Sequence, residues 1–572
     1  MSIIASDIKR NYLSRDLVLN SVNDLDTYYK ELLTRKIGSR GEFEKWLFDR
    51  SELEAFVYED AGWRYIRMTI NTADEQAAKR YEDFVTQFEP VIAENTNKLN
   101  ERTDELQKEF QLHSLNYDLF FRNLKNELSL FRKENIPINT EINKETQRFS
   151  TIAGALQITY GDKTYTLPQA SVFLKNNDRD IRKTVFELVA KARHNVIGEL
   201  NDLYDNLVKL RTTVAKNAGF ENYRDYKFRE LVRLDYTVND CYQLHNSIEE
   251  SIVPLVREFM LERKRLLNYN TLRPWDLEAE IYGSTPLKPF TNGADLAQKT
   301  IKVFHELDPY FASCIETMQQ MGHFDLESKK GKAPGGYNYP LYETGVPFIF
   351  MNAVGTQRDM VTMVHEGGHA VHSFLSRHLK LTAFKSLPSE IAELASMTME
   401  LITMDHWNEF YDNPRDCARA KKEQLEKIIT ILPWIAIVDK FQHVVYEQPE
   451  HTHEQRNTWW QEINERFSTK TVDYTEYEWV KEHGWQKQLH IFEVPFYYIE
   501  YAIAQLGAIA MWRNFKRDPH KTIEQYKAAL ALGNSVSIPE VYKTAGIKFD
   551  MSPQYVAELA TFVKSEYDKL KI

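Results

Sequence analysis

This sequence predicts a mainly α-helical protein with a small β-sheet, on three observations. Long stretches set apolar residues at helical spacing among charges, as from Asp74 to Ser114. Residues 496 to 512 are apolar nearly all round, the mark of a buried helix. Strand-like alternation is confined to a few short segments. The composition, 43% hydrophobic and 27% charged, suits a soluble chain, and 572 residues allow a large core in several domains or one lobed unit.

Charge and cysteine usage exclude some functions. A net charge of −11 speaks against nucleic acid or an anionic membrane as a main partner. Cys241, Cys314 and Cys417 are scattered without motif spacing and read as reduced, structural residues of a cytoplasmic protein. Met1 to Asp7 hold neither a basic start nor a long apolar run, so no secretory signal is expected. No apolar segment is read as reaching the ~18 residues of a membrane span.

Residues up to about 190 read as long amphipathic helices. In the Asp74–Ser114 stretch, Tyr81, Phe84, Phe88, Val91, Ile92 and Leu99 share one face, which predicts a packed helical hairpin rather than a coiled coil. Gln157 to Leu167 alternates and turns at Gly161-Asp162, a short β-hairpin. Helix resumes from Phe173 to Phe228, with Arg179, Arg182 and Lys183 expected on a solvated face. Arg273-Pro274-Trp275-Asp276-Leu277 reads as a break. Gly331 to Pro340 is a glycine-rich loop that lacks the G-K-[ST] of a phosphate loop. Val346 to Ala353 reads as a strand, and Pro347 assigns it to a sheet edge. An edge just before the next helix suits pairing with an extended peptide, or is a capped structural edge.

That next helix carries His365-Glu366-Gly367-Gly368-His369-Ala370-Val371-His372. Thr356-Gln357-Arg358-Asp359 supplies an N-cap with an acid three residues on. Met360, Met363, Val364, Val371, Phe374 and Leu375 recur at helical spacing. Residues four apart share a face, so His365 and His369 can hold one metal ion, with Glu366 reaching a water beside it. Two imidazoles, a general base and an open coordination position are what a zinc peptidase needs. Gly367 and Gly368 oppose the helix by about 1 kcal/mol each relative to alanine. Their presence predicts close approach of a substrate or a neighbouring strand.

A third ligand is expected on the helix that begins at Pro388-Ser389. Ile391, Leu394, Thr398 and Leu401 form its apolar stripe, and Glu393, Met397 and Glu400 lie on another. Glu390 and Glu393 compete for the role. The pattern favours Glu393, because the helix dipole favours an acid at Glu390 in any case. Glu400 either steadies a ligand histidine or is an ordinary solvated acid. His372 reads as a packed histidine, and His372 and Leu375 stand where a metzincin has its glycine and third histidine.

These residues resemble the M3 family of zinc oligopeptidases, which includes thimet oligopeptidase, and within it the oligoendopeptidase F branch. The family pattern is H-E-x-G-H-x-x-H followed by E-x(6)-E, matched here by His365 to His372 and by Glu393 and Glu400. The resemblance covers most of the chain and selects Glu393 as the third ligand. It implies a two-lobed helical fold with a small sheet beside the site helix and a deep central cleft. It also implies an N-terminal helical region, 1–190, covering a catalytic region, 191–572.

A tyrosine-rich block from His490 to Gln505 is usually core by composition. In the family, a histidine on a flexible loop and tyrosines on the following helix donate to the scissile carbonyl. His490, Tyr498 and Tyr501 match that arrangement, with the register between Tyr497 and Tyr498 open. The resemblance therefore implies one Zn²⁺ on His365, His369 and Glu393, with Glu366 as general base and His490, Tyr498 and Tyr501 as oxyanion donors. It implies cleavage of internal bonds in short peptides, by a cytoplasmic monomer or small homo-oligomer with no nucleic-acid or membrane partner. A dipeptidyl carboxypeptidase or other exopeptidase on the same site, and a non-catalytic peptide-binding protein, stay as alternatives.

Overall fold

A computed structural model describes residues 10–283 and 286–572. Met1 to Asp7, on which the expectation of no secretory signal rests, lie outside the described residues. The chain is mainly helical, as expected. Among the described residues the strands are β1 (Gln157–Tyr160), β2 (Lys163–Thr166), β3 (Phe324–Glu327), β4 (Tyr337–Tyr339) and β5 (Phe348–Ala353). It divides into two compact units that interleave along the sequence. The first is Met1–Leu128, Leu287–Cys417 and Gly507–Phe549; the second is Ser129–Pro286, Ala418–Leu506 and Asp550–Ile572. This is a different division from one boundary near residue 190.

In the first unit, Ser39 caps the Arg40–Ile70 helix by accepting from Glu42 N. Its Phe43, Trp46, Leu47 and Phe56 pack with Leu99, Leu106 and Phe121 in one core. Trp46 Nε1 finds its partner in the Leu32 carbonyl at 2.8 Å, so the buried indole leaves no donor unmet. The Asp74–Ser114 stretch is one arm of a hairpin whose other arm is this helix. It starts at the Asp74 cap, runs through a π-turn at Phe84–Phe88, and continues as Glu89–Phe110. Phe84, Phe88 and Leu99 are buried, while Tyr81, Val91 and Ile92 are only half-buried.

The sheet of this unit has the order β3-β5-β4, with β3 parallel and β4 antiparallel to β5. The expected edge strand, β5, is therefore central. Pro347 stands one residue before β5, where its missing N–H costs no ladder bond. Phe348, Ile349, Phe350 and Met351 are all buried, as a strand covered on both faces requires. The edges are β3 and β4, and β4 grows out of the stretch expected to be only a glycine-rich loop. Lys332 of that loop has no exposed side chain; its ammonium sits on Asp325 at 2.7 Å and on the carbonyls of Asp325, Glu327 and Met351. It is a structural plug.

In the second unit, β1 and β2 pair antiparallel and turn at Gly161-Asp162, with Gly161 at φ 61°. Arg182, expected on a solvated face, is completely buried. It donates to Asp276 at 2.8 Å and to the Trp275 carbonyl at 3.1 Å, and Arg179 also reaches Asp276 at 2.6 Å. The reason is Asp276 itself: a carboxylate with no exposure needs paired cations. The expectation that no segment could span a membrane by length and composition is corrected by the Pro414–Glu447 helix. Its best 18-residue window has a mean hydropathy of 1.5 and is 72% buried inside the protein, as for a core helix.

Candidate functional site

The helix Gln357–Ser376 begins as its sequence predicts. Thr356 Oγ1 accepts from Asp359 N, and Asp359 Oδ2 accepts from Thr356 N at 2.9 Å. More than two turns into the helix, His365 and His369 put their rings 4.9 Å apart. The helix Ser389–Ile402 packs closely along it. Gly368 permits that approach: a Cβ there would lie 2.7 Å from Ser396 Cα and 2.9 Å from the Ala395 carbonyl oxygen. At Gly367 a Cβ would meet the Phe304 ring at 2.6 Å. The glycine pair thus answers to a neighbouring helix and an aromatic side chain, not to the substrate or strand that the sequence suggested.

Across this contact Glu393 Oε2 stands 3.3 Å from His365 Nε2 and 3.9 Å from His369 Nε2. Donor atoms of His365, His369 and Glu393 all lie within 4.8 Å of one another. Three donors of this type facing one point fit a divalent cation, and Ser396 Oγ donates to the same Glu393 Oε2 at 3.0 Å. Glu390 is buried in the first turn of its helix and is not among those donors. Glu400 is no solvated acid. Its Oε1 accepts from His365 Nδ1 at 2.6 Å, which holds a proton on Nδ1 and leaves Nε2 as the ring nitrogen that would bind a cation. His372 is completely buried; burial, then the neighbouring His369, pushes its pKa down to about 3, and it is not in the donor set.

Electrostatics separate the carboxyls of this cluster. Burial pushes Glu366 up to about 7. Burial acts on Glu393 in the same direction, but its hydrogen bond to His365 and the two imidazoles outweigh it and hold it at about 2. Burial lowers His369 to about 4, while Glu393 and Glu400 overcome burial at His365 and raise it. The cluster thus sets one carboxyl raised toward neutrality, Glu366, beside one held ionised, Glu393. The carbonyl of Glu366 accepts from Asn338 Nδ2 at 3.3 Å, which ties the edge strand β4 to this helix.

The second cluster lies in the other unit. His490 sits in a short helix, Leu489–Glu493, rather than on the flexible loop the resemblance implied. Tyr498 directly precedes the helix Ile499–Arg517, and Tyr501 is in its first turn. The His490 ring lies 4.6 Å from that of Tyr498, 5.9 Å from Tyr501 and 6.2 Å from Tyr497. Tyr498 is thus the nearest phenol to the imidazole.

Two partners that sequence reasoning missed set the state of His490. Trp434 Nε1 can only donate, and it donates to Gln488 Oε1 at 2.8 Å. That fixes the amide, so Gln488 Nε2 donates to His490 Nδ1 at 2.7 Å. The proton of neutral His490 must then be on Nε2, where it is a free donor. Burial lowers the pKa to about 4, so the ring is neutral at pH 7. The preceding turn is also clamped. Phe496 has φ 65°, its N–H donates to Gln442 at 2.9 Å, and its carbonyl accepts from the buried Arg233, which is paired with Glu500 at 2.6 Å. Nothing local in the sequence marks Gln488, Trp434, Arg233 or Gln442, because each acts through a residue distant along the chain or through an ordinary-looking amide.

Residues 172–561 match the profile of Peptidase family M3, and residues 20–131 match that of the Peptidase M3 N-terminal domain. The chromosomal oligoendopeptidase F of Lactococcus lactis subsp. cremoris is 21% identical over 445 residues, 73% of this chain and 67% of its own. Among solved structures, PZ peptidase A with an inhibitor superposes with a TM-score of 0.86 at 25% identity, covering 99% of each chain. An X-ray structure of a candidate oligoendopeptidase F gives a TM-score of 0.86 at 26% identity, again with 99% of each chain. The family match spans more than half of the chain and includes both clusters, so this protein is a peptidase that belongs to family M3, on its oligoendopeptidase F branch.

Proposed function

We propose that this peptidase is a zinc-dependent endopeptidase that cuts internal bonds of short peptides. The observation that carries this reading is the set of His365, His369 and Glu393 donors within 4.8 Å of one another, with Glu366 raised to about 7 beside them. A zinc ion held by those three side chains would supply Lewis acidity to the scissile carbonyl and to the attacking water. Glu366 takes the proton from that water and delivers it to the leaving amine. His490 Nε2–H and the hydroxyls of Tyr498 and Tyr501 donate to the carbonyl oxygen as it gains charge. Strand β4, at the end of its sheet, offers backbone groups to an extended peptide without reading its side chains. The names of the relatives support oligopeptide substrates. The cytoplasm, and a monomeric or small homo-oligomeric state, belong to the same proposal.

The test compares zinc-loaded wild type with Glu366→Gln on a mixed peptide pool and a denatured protein, with products read by mass spectrometry. Internal cuts in short peptides by wild type alone, with the long chain spared, support the reading. Release of terminal residues or dipeptides moves the protein to an exopeptidase, and no cleavage by wild type removes the catalytic claim.

A further inference from the structure

The geometry points to a second metal site, in the second unit, built from Cys241, Asp439 and His443 with His245 beside them, that takes a structural zinc ion. Two helices supply it with one spacing. Cys241 and His245 are four apart on Val238–Ser247, and Asp439 and His443 are four apart on Pro414–Glu447. Each pair shares a helix face. Donor atoms of Cys241, Asp439 and His443 lie within 4.8 Å of one another. His245 Nε2 is 2.9 Å and His443 Nε2 is 3.1 Å from the same oxygen, Asp439 Oδ2. Ligands of a tetrahedral zinc site with bonds near 2.0–2.1 Å stand about 3.3 Å apart, close to these separations.

Hydrogen bonding alone leaves this cluster poorly satisfied. All four residues are at most 1% exposed. Yet Asp439 Oδ1, His245 Nδ1 and His443 Nδ1 have no hydrogen-bond partner, in a chain where buried polar atoms normally have one. A buried carboxyl beside a thiol and two imidazoles, with three of the cluster's polar atoms unmatched, is a donor set that a cation would complete. Thiolate, imidazole and carboxylate together suit zinc, and a site closed to solvent suits a structural role. Binding requires the Cys241 thiol to give up its proton to solvent; no redox step is involved.

The site would brace the second cluster. Gln442, between Asp439 and His443, accepts from Phe496 N at 2.9 Å, and the His443 ring lies 5.2 Å from that of Phe496. The turn that carries Tyr497 and Tyr498 therefore rests on the helix segment the ion would pin.

The test is a metal count and a cobalt spectrum on the full chain. Wild type purified without chelator should carry two zinc ions per chain, and His369→Ala should keep one. Cobalt-loaded wild type and His369→Ala should both show a near-ultraviolet thiolate-to-cobalt band, which His365, His369 and Glu393 cannot produce because none is a thiol. Cys241→Ser should lose it. One ion per chain with no such band in wild type, or a band that survives in Cys241→Ser, would overturn the proposal. Loss of the first ion and of activity in His369→Ala reports on the peptidase site alone, so the two readings fail separately.

Discussion

Replacing Gly368 with alanine tests how the two helices of the metal cluster are held. The added Cβ would lie 2.7 Å from Ser396 Cα and 2.9 Å from the Ala395 carbonyl oxygen. Close-packed atoms need about 3.4 Å, so the helices must part by about 0.7 Å, because backbone cannot swing aside as a side chain can. Alanine gains about 1 kcal/mol of helix propensity. Overpacking costs about 1–3 kcal/mol. The two nearly offset, so stability should fall by only about 0–2 kcal/mol and decides little. Metal affinity decides more. The 3.3 Å separation of His365 Nε2 and Glu393 Oε2 is carried by these two helices. A shift of about 0.7 Å exceeds the ~0.2 Å tolerance of ligand distances. Zinc affinity, measured by competition with a chromogenic chelator, should weaken at least tenfold. Gly367→Ala, whose Cβ has the Phe304 ring and the Ile315 side chain as its nearest neighbours rather than backbone, should weaken it less. Wild-type affinity in Gly368→Ala would refute the argument that this contact sets the ligand spacing.

Glu400→Gln removes the anion that orients His365 and should weaken zinc binding about 10–100-fold in the same titration. Gln488→Glu keeps an acceptor for Trp434 but asks His490 to protonate Nδ1, turning Nε2 from donor to acceptor. kcat should fall about 10²–10³-fold with KM little changed, and the proton's move to Nδ1 should be visible by nitrogen NMR of the ring. His372, with a folded pKa of about 3, is depressed below its unfolded value near 6.5. Its contribution is complete above pH 6.5 and is lost as pH falls toward 3, about 3 kcal/mol by pH 4.5. In metal-free protein, urea midpoints at pH 7 and pH 4.5 should therefore differ less for His372→Gln than for wild type.

What the sequence by itself determined is what neighbours along the chain determine. Thr356 and Asp359 start the site helix because a capping box spans only four residues. Gly161-Asp162 turns the β1–β2 hairpin because a two-residue loop needs a positive φ. The face shared by His365 and His369 follows from helical period, and the resemblance narrowed the acids to Glu393. Tertiary structure decided which faces meet. Pro347 could not tell an edge strand from a central one, because its missing N–H matters only inside the ladder. Gly368 announced a close approach but not that a helix makes it. Arg182 reads as one basic residue in a charged run until Asp276 is folded against it. The tautomer of His490 depends on an indole 54 residues from the amide between them. His245 meets Asp439 across 194 residues. Periodicity fixes the direction of a side chain on its own helix, and only packing fixes what stands opposite.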